Sequence, residues 1–194
     1  MLGPLDADEI KTRLPERSES ARLILRKPGL ADIDRLFEIC GDPQTNLYNP
    51  AGPYPNIQKA QAVMAAWLLH WEQRGFGQWA ISSKEAPTQI LGFGGLAVLN
   101  YLDQPRINLG FRFATEAWGQ GYASEMAHTA LELAFQHMKF SAVHAKVRPA
   151  NLASIAVLER LGMQRDGTTD DVPGQEQSLV YLMRRDFPRP PLRR

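Results

Sequence analysis

The sequence predicts an α/β (α+β) domain. One central sheet, mixed but largely antiparallel and of six to seven strands, carries helices on both faces. Three observations support this. Alternating stretches at 78–83, 89–99 and 106–113, joined by short turns, make an antiparallel meander. Apolar residues at helical spacing mark four helices, two before the meander and two after it. The third helix joins two strand-like stretches, which makes those strands parallel neighbours. The order is β-α-α-β-β-β-α-β-α-β-β, with no repeat and no linker that would split the chain.

Residues 1–20 are polar, contain Pro4 and Pro15 and show no period, so they read as a flexible N-terminal arm. Residues 22–26 (RLILR) form a first strand ended by Pro28-Gly29. A helix opening at Ala31 or Asp32 buries Ile33, Leu36, Phe37 and Cys40, and Gly41-Asp42-Pro43 stops it. Residues 43–56 hold four prolines, which leaves a loop that either lines a binding site or packs as a connector. Ile57, Ala60, Met64, Trp67, Leu68 and Trp71 stripe the second helix, closed by Gly75.

After the meander, a helix running to about His137 turns Ala127, Ala130, Leu131, Ala134, Phe135 and Met138 inward. A strand at 142–147 and a helix at 151–161 follow, then two strands near 163–168 and 178–184. The domain thus spans 21–187, and residues 188–194 read as a disordered basic tail.

Composition excludes several classes of function. A net charge of +1 gives no global reason to expect nucleic acid or an anionic membrane as partner. The single Cys40 rules out an internal disulfide framework, and four dispersed histidines show no metal-ligand spacing. No stretch reaches the ~18 apolar residues of a membrane span. Met1 is followed by Asp6, Asp8 and Glu9, not by a basic-then-apolar leader, so the expectation is a soluble cytoplasmic protein. Oligomeric state is not legible.

The chain is organised around 110–126, GFRFATEAWGQGYASEM. A strand with Ile107, Leu109, Phe111 and Phe113 on one face runs through a polar turn into Trp118-Gly119-Gln120-Gly121, and a helix begins at once. The first turn of a helix has N–H groups without internal partners, and the dipole adds roughly half a positive charge there. Glycines let a phosphate approach the backbone. The stretch is therefore a phosphate cradle. It is not a Walker loop, because Tyr122 follows Gly121 where Lys is needed, and not a Rossmann fingerprint, because Ser124 occupies the third glycine position. Gly92-Phe93-Gly94-Gly95 lies inside a strand and fits close backbone approach.

Residues 118–123 (WGQGYA) instead resemble the Q/R-x-x-G-x-G/A segment of the GNAT acyl-CoA N-acyltransferases, which holds the coenzyme A pyrophosphate on backbone amides. A second match lies about 30 residues on, where Asn151-x-x-Ser154 precedes Val157-Leu158-Glu159-Arg160-Leu161-Gly162-Met163. Trp118, the Asn-x-x-Ser and the opening RLILR are similar to the branch of ribosomal-protein-alanine N-acetyltransferases, the RimJ/RimL type.

The resemblance implies acetyl-CoA as cosubstrate without a metal. It implies an amine-bearing acceptor, which is a protein N-terminus, a polyamine or another small amine. Backbone groups of Phe111, Arg112 and Phe113 would meet the pantetheine arm. Trp118, Gly119, Gln120, Gly121, Tyr122, Ala123 and Ser124 would form the pyrophosphate site. Asn151 and Ser154 would contact the cofactor, with the Ser154 hydroxyl as proton donor to the leaving thiolate. Arg112 points to the opposite face of its strand, toward either a phosphate or solvent. Asn151 is in any case an apt N-cap, and Glu125 complements the helix dipole.

Two departures stand against the family pattern. Leu158 occupies the position seven after Asn151 where many members place a catalytic Tyr, and no carboxylate base stands at 106–108. Asp103, Tyr48, Tyr54 and Glu72 remain as unranked base candidates. These gaps leave a non-catalytic acyl-CoA binding or sensing module on the same fold as the alternative. A terminal α-amine, with a pKa near 8, needs less help from a base than a lysine near 10.4.

Overall fold

The computed structural model describes residues 12–186. Strands β1 (Arg17–Glu19), β2 (Leu23–Arg26), β3 (Gln78–Ser83), β4 (Ile90–Tyr101), β5 (Gln104–Phe113), β6 (Ala142–Val147), β7 (Gln164–Thr169) and β8 (Ser178–Arg184) form one sheet. Its spatial order is β1-β2-β3-β4-β5-β6-β8-β7. Every neighbouring pair is antiparallel except β5 and β6.

Side chains alternate across this sheet and so build two cores. On one face α1 (Ile33–Gly41) and α2 (Ile57–Arg74) bring Leu36, Ile39 and Met64 onto Ala80, Ile90 and Phe93. On the other, α3 (Tyr122–Glu132) and α4 (Leu152–Arg160) bring Met126, Ala127, Ala130 and Leu158 toward Leu25, Trp79, Ile81, Leu109 and Val143. The stripe of alanines on α3 lets the helix lie close to the strands. Gly94 shows how close: a Cβ there would stand 2.8 Å from the Met126 methyl. Among the described residues no helix is long and apolar enough to cross a membrane.

Several sequence expectations need correction. The sheet has eight strands, not six to seven, because residues 17–19 inside the expected arm pair with β2 as an edge strand. Three residues are too few to show a period, and the charged Arg17 and Glu19 suit an exposed edge. Leu14 is buried against the main core, so only residues 1–11 of that arm, with the tail at 188–194, lie outside the described residues. The turn expected at 100–105 is tighter: β4 and β5 continue to Tyr101 and from Gln104, and Leu102 and Asp103 both take positive φ, 53° and 57°. That pair of left-handed residues is how a two-residue hairpin follows the strand twist. The third helix ends its α-helical part at Glu132 and runs on as a π-turn, Leu133–His137.

An ion pair between a buried carboxylate and a partly exposed arginine fixes the entry to α1. Arg26 at the end of β2 donates to both oxygens of Asp32 at 2.7 Å, and the Gly29 N–H adds a third bond at 2.8 Å. Burial alone would raise the Asp32 pKa, but these bonds outweigh it and hold the carboxyl below its usual range. A depressed folded pKa gives stability that is present above the unfolded value, near 4, and is lost as pH falls through the folded one. Asp32→Asn should therefore lower Tm at pH 7 and narrow the gap between Tm at pH 7 and at pH 3. Thermal melts of both proteins across that range check it.

Candidate functional site

The parallel strands β5 and β6 share one register position, Asn108 opposite His144. Beyond it they part. β5 stays bonded to β4 as far as Phe113, and β6 to β8 as far as Val147. Residues 109–113 and 145–147 then face each other across a cavity of about 790 Å³. Backbone N–H and C=O groups on such edges call for partners, and an extended amide-bearing ligand supplies them as an added strand would.

At the point of divergence the Asn108 side chain stands in for the missing strand. Its Nδ2 donates to the Leu109 carbonyl at 3.0 Å, and its Oδ1 accepts from the Tyr101 hydroxyl at 3.2 Å. His144 lies behind, buried, with its Nε2 2.6 Å from Arg106 Nη1. Burial first, and then the Arg106 charge, push its pKa down to about 4, so the ring is neutral and works as packing.

From Phe113 the chain makes a short 3-10 turn, Thr115–Ala117, and the Trp118 indole N–H returns to the Phe113 carbonyl at 3.0 Å. Trp118 thus closes the turn that delivers the cradle. Gly119 and Gly121 have φ of 74° and 77°, where any other residue is strained. No side chain caps α3, so its first-turn N–H groups are left without a side-chain partner, the arrangement that suits an anion. A Cβ at Gly119 would meet nothing within 4 Å, and at Gly121 only the Arg22 guanidinium, at 3.6 Å.

The cradle is latched to β2 through Glu125. The carboxylate accepts from Ser20 Oγ at 2.6 Å and from the Arg22 N–H and Nε at 2.7 Å each. Burial opposes ionisation there, but these bonds prevail and hold its pKa low. Arg22 Nη1 also donates to the Gln120 carbonyl at 3.0 Å, and its guanidinium covers the Tyr122 ring.

The facing wall comes from α4. Asn151 caps it, Oδ1 accepting from the Ser154 N–H at 3.1 Å, and Ser154 lines the cavity together with Val157 and Leu158. Arg160 reaches Ser124 Oγ at 3.4 Å and joins the two helices across the cradle.

Of the residues singled out from sequence, Phe111, Arg112, Phe113, Trp118, Gly119, Gly121, Tyr122, Ala123, Ser124, Asn151 and Ser154 all line this one cavity. Gln120 does not; its amide donates to the Glu116 carbonyl. Arg112 lines the cavity, yet its guanidinium donates to Asn46 Oδ1 in the 43–56 loop and so pins that loop to β5. Of the base candidates, Tyr48 lines the cavity, whereas Tyr54, Glu72 and Asp103 do not. Tyr54 packs against Cys40, and burial raises the pKa of both, Arg112 partly offsetting the rise.

Sequence reasoning missed the far end. Lys146, Arg148, Asp171 and Ser178 line the cavity too, and Arg148 also borders a chamber with the Tyr48 loop. Lys146 Nζ lies 2.7 Å from Asp171 Oδ2, and Arg148 Nη1 lies 3.8 Å from Oδ1. Burial pulls the Asp171 pKa up, but Lys146 and Ser178 pull harder, so it stays ionised. Among the described residues Asp171 is the one carboxylate lining the cavity, against four cations, Arg112, Lys146, Arg148 and Arg160. Spacing hinted at the two cations, which sit i, i+2 along β6 and its end. Nothing local marks Asp171, which stands in an irregular connection after β7.

A slot with unpaired strand edges leading to an uncapped, glycine-opened helix fits a ligand with an amide arm and a pyrophosphate, which is coenzyme A. The family model for the acetyltransferase (GNAT) domain matches residues 22–164. The chain belongs to the GNAT acetyltransferase family. It is similar to the uncharacterized N-acetyltransferase p20 of Bacillus licheniformis, 28% identical over 173 residues, 86% of this chain and 95% of that protein. Among solved structures it resembles an acetyltransferase from Agrobacterium tumefaciens str. C58. That likeness has a TM-score of 0.73 at 25% identity and covers 88% of this chain and 94% of that one. A spermidine N-acetyltransferase from Vibrio cholerae, solved with CoA and spermine, shares the fold at TM-score 0.69 and 16% identity, covering 84% and 95%. The chain is accordingly an acyltransferase that uses a coenzyme A thioester to acetylate an amine.

Gly121→Ala puts a Cβ at a left-handed position at a cost of about 1–2 kcal/mol, and beside the anion path. It should lower Tm by a few degrees and weaken acetyl-CoA binding about tenfold, as calorimetry would show.

Proposed function

We propose that this chain transfers the acetyl group of acetyl-CoA to a small primary amine that enters between the Tyr48 loop and Asp171. The observation that carries the reading is the continuity of one cavity from the α3 cradle, along the open edge of β5, to an ionised carboxylate. In this reading the amides from Gly119 to Ser124 hold the pyrophosphate. The free edges of Phe111, Arg112 and Phe113 bind the pantetheine amides and polarise the thioester carbonyl. Trp118 fixes the turn between these two functions. Asn151 orients the first turn of α4 so that Ser154 stands by the sulfur.

Acetyl-CoA supplies an activated acyl carbon: a C–N bond forms, the C–S bond breaks, the amine loses one proton and the thiolate gains one. Ser154 passes a proton to the sulfur. It is the polar hydroxyl of α4 that lines the cavity, and Leu158, where many relatives carry Tyr, is buried in the core. Asp171 accepts a hydrogen bond from the incoming amine and orients its lone pair. Its low pKa makes it an ion-pair partner more than a proton sink, so deprotonation of the acceptor is left to solvent. That favours acceptors with an α-type amine.

Thiol release from acetyl-CoA should depend on an added amine. Its kcat/KM should rise with pH and level off near the acceptor's own pKa, about 8 for an α-amine. Ser154→Ala should lower kcat about 10- to 100-fold without changing acetyl-CoA affinity. Asp171→Asn should act on kcat/KM for the amine instead. Tight acetyl-CoA binding with no thiol release across terminal-amine peptides, amino acids, polyamines and aminoglycosides would mean that the chain only senses the thioester.

A further inference from the structure

Arg148 is the charged residue that two spaces share, together with Leu47, Tyr48, Asn49 and Pro50. It lines the main cavity and also a side chamber of about 360 Å³ bounded by Leu47, Tyr48, Asn49, Pro50, Ala150, Gln175 and Glu176. Its side chain is only 15% exposed, yet its polar contacts are long: 3.3 Å to Ser178 Oγ, 3.5 Å to Gln175 Oε1 and 3.8 Å to Asp171 Oδ1. A guanidinium has five N–H donors, and a half-enclosed one binds carboxylates in bidentate fashion. Across the 3.8 Å gap, Asp171 Oδ1 is buried without a hydrogen-bond partner. Lys146 occupies the other oxygen, Oδ2, at 2.7 Å. Arg148 thus makes only long contacts for a guanidinium with five donors, and it stands beside the carboxylate that lines the same cavity.

The charge around the pair points the same way. Arg112, Lys146, Arg148 and Arg160 face Asp171 alone in the main cavity, and Glu176 is on the exposed rim of the side chamber. Beside Asp171 itself stand Lys146 and Arg148, so a polycation would meet two cations and one carboxylate that is already ion-paired.

We propose that the acceptor is a small zwitterion, a free amino acid or close analogue, whose carboxylate is held by Arg148 and whose amine is drawn toward the Asp171 carboxylate beside it. This rests on the acetyltransfer reading above and adds the acceptor's chemical class to it. The separation matters: amine and carboxylate must lie within a few bonds of each other to span a pair 3.8 Å apart. A peptide N-terminus has that carboxyl converted to an amide. Arg148 is a specificity residue here, and the bond changes are those already given, with the amine nitrogen acylated and the thiolate protonated.

The test compares free amino acids with their carboxamides, spermidine, simple alkyl amines and peptides, following thiol release by the full chain, while calorimetry measures acetyl-CoA binding separately. At least one free amino acid should exceed its carboxamide in kcat/KM by about 10- to 100-fold, mainly through KM. Arg148→Gln should erase that gap by lowering the acid about 10-fold or more beyond any change in the carboxamide, with acetyl-CoA affinity followed separately; Arg148→Lys should restore part of it. Equal use of acid and carboxamide, a preference for spermidine or a peptide, or an equal loss on both substrates in Arg148→Gln would overturn the zwitterion proposal and leave acetyl transfer standing. Acetyl-CoA binding without turnover of any amine would overturn both.

Discussion

The site depends on the parting of β5 and β6 after a single shared position. A continuous sheet would consume the N–H and C=O groups of residues 109–113 in a ladder. Here β4 takes one edge and the other is left facing a cavity. Buried backbone groups need partners, so the slot favours a ligand that behaves as a strand. Asn108 makes the opening tolerable in the free protein by bonding Leu109 with its own side chain.

Everything else around the slot is a means of holding its two walls in place. On the β5 side, Trp118 ties the turn to Phe113 and the Glu125–Arg22 latch ties the helix mouth to β2, so the cradle is fixed to strands on both sides. On the β6 side, Asn151 sets the start of α4, and Arg160 bridges back to Ser124. Arg112 extends the same frame outward by gripping Asn46, itself bonded to the Cys40 and Asp42 carbonyls, so the loop that borders the acceptor end rests on β5. In the proposed reading, cofactor slot and acceptor loop therefore share one strand. An acceptor between the Tyr48 loop and Asp171 meets a surface built from both halves of the sheet.

How much of this could be read in the sequence follows from what is local. The cradle was legible because its requirements are confined to a few residues: two glycines at positive φ and an uncapped helix start leave a short motif. The helices and central strands were legible from period alone, and Asn151 from its spacing to Ser154. β1 was not, since three polar edge residues, two of them charged, have no apolar face to repeat. Arg112 was misjudged between phosphate and solvent because its partner, Asn46, sits in a proline-rich loop without any pattern. Asp171 left no trace because its meaning comes from Lys146 and Arg148, more than twenty residues earlier and brought alongside by the β6–β8 pairing.

The most direct test is amide hydrogen exchange with and without saturating acetyl-CoA. The account predicts slowed exchange in two stretches, the free edge within 109–113 and the helix mouth at 119–124, with little change along β1–β3. Saturable binding that leaves both stretches unprotected, or protects only the 43–56 loop, would contradict the assignment of the open strand edge and the glycine cradle to the cofactor.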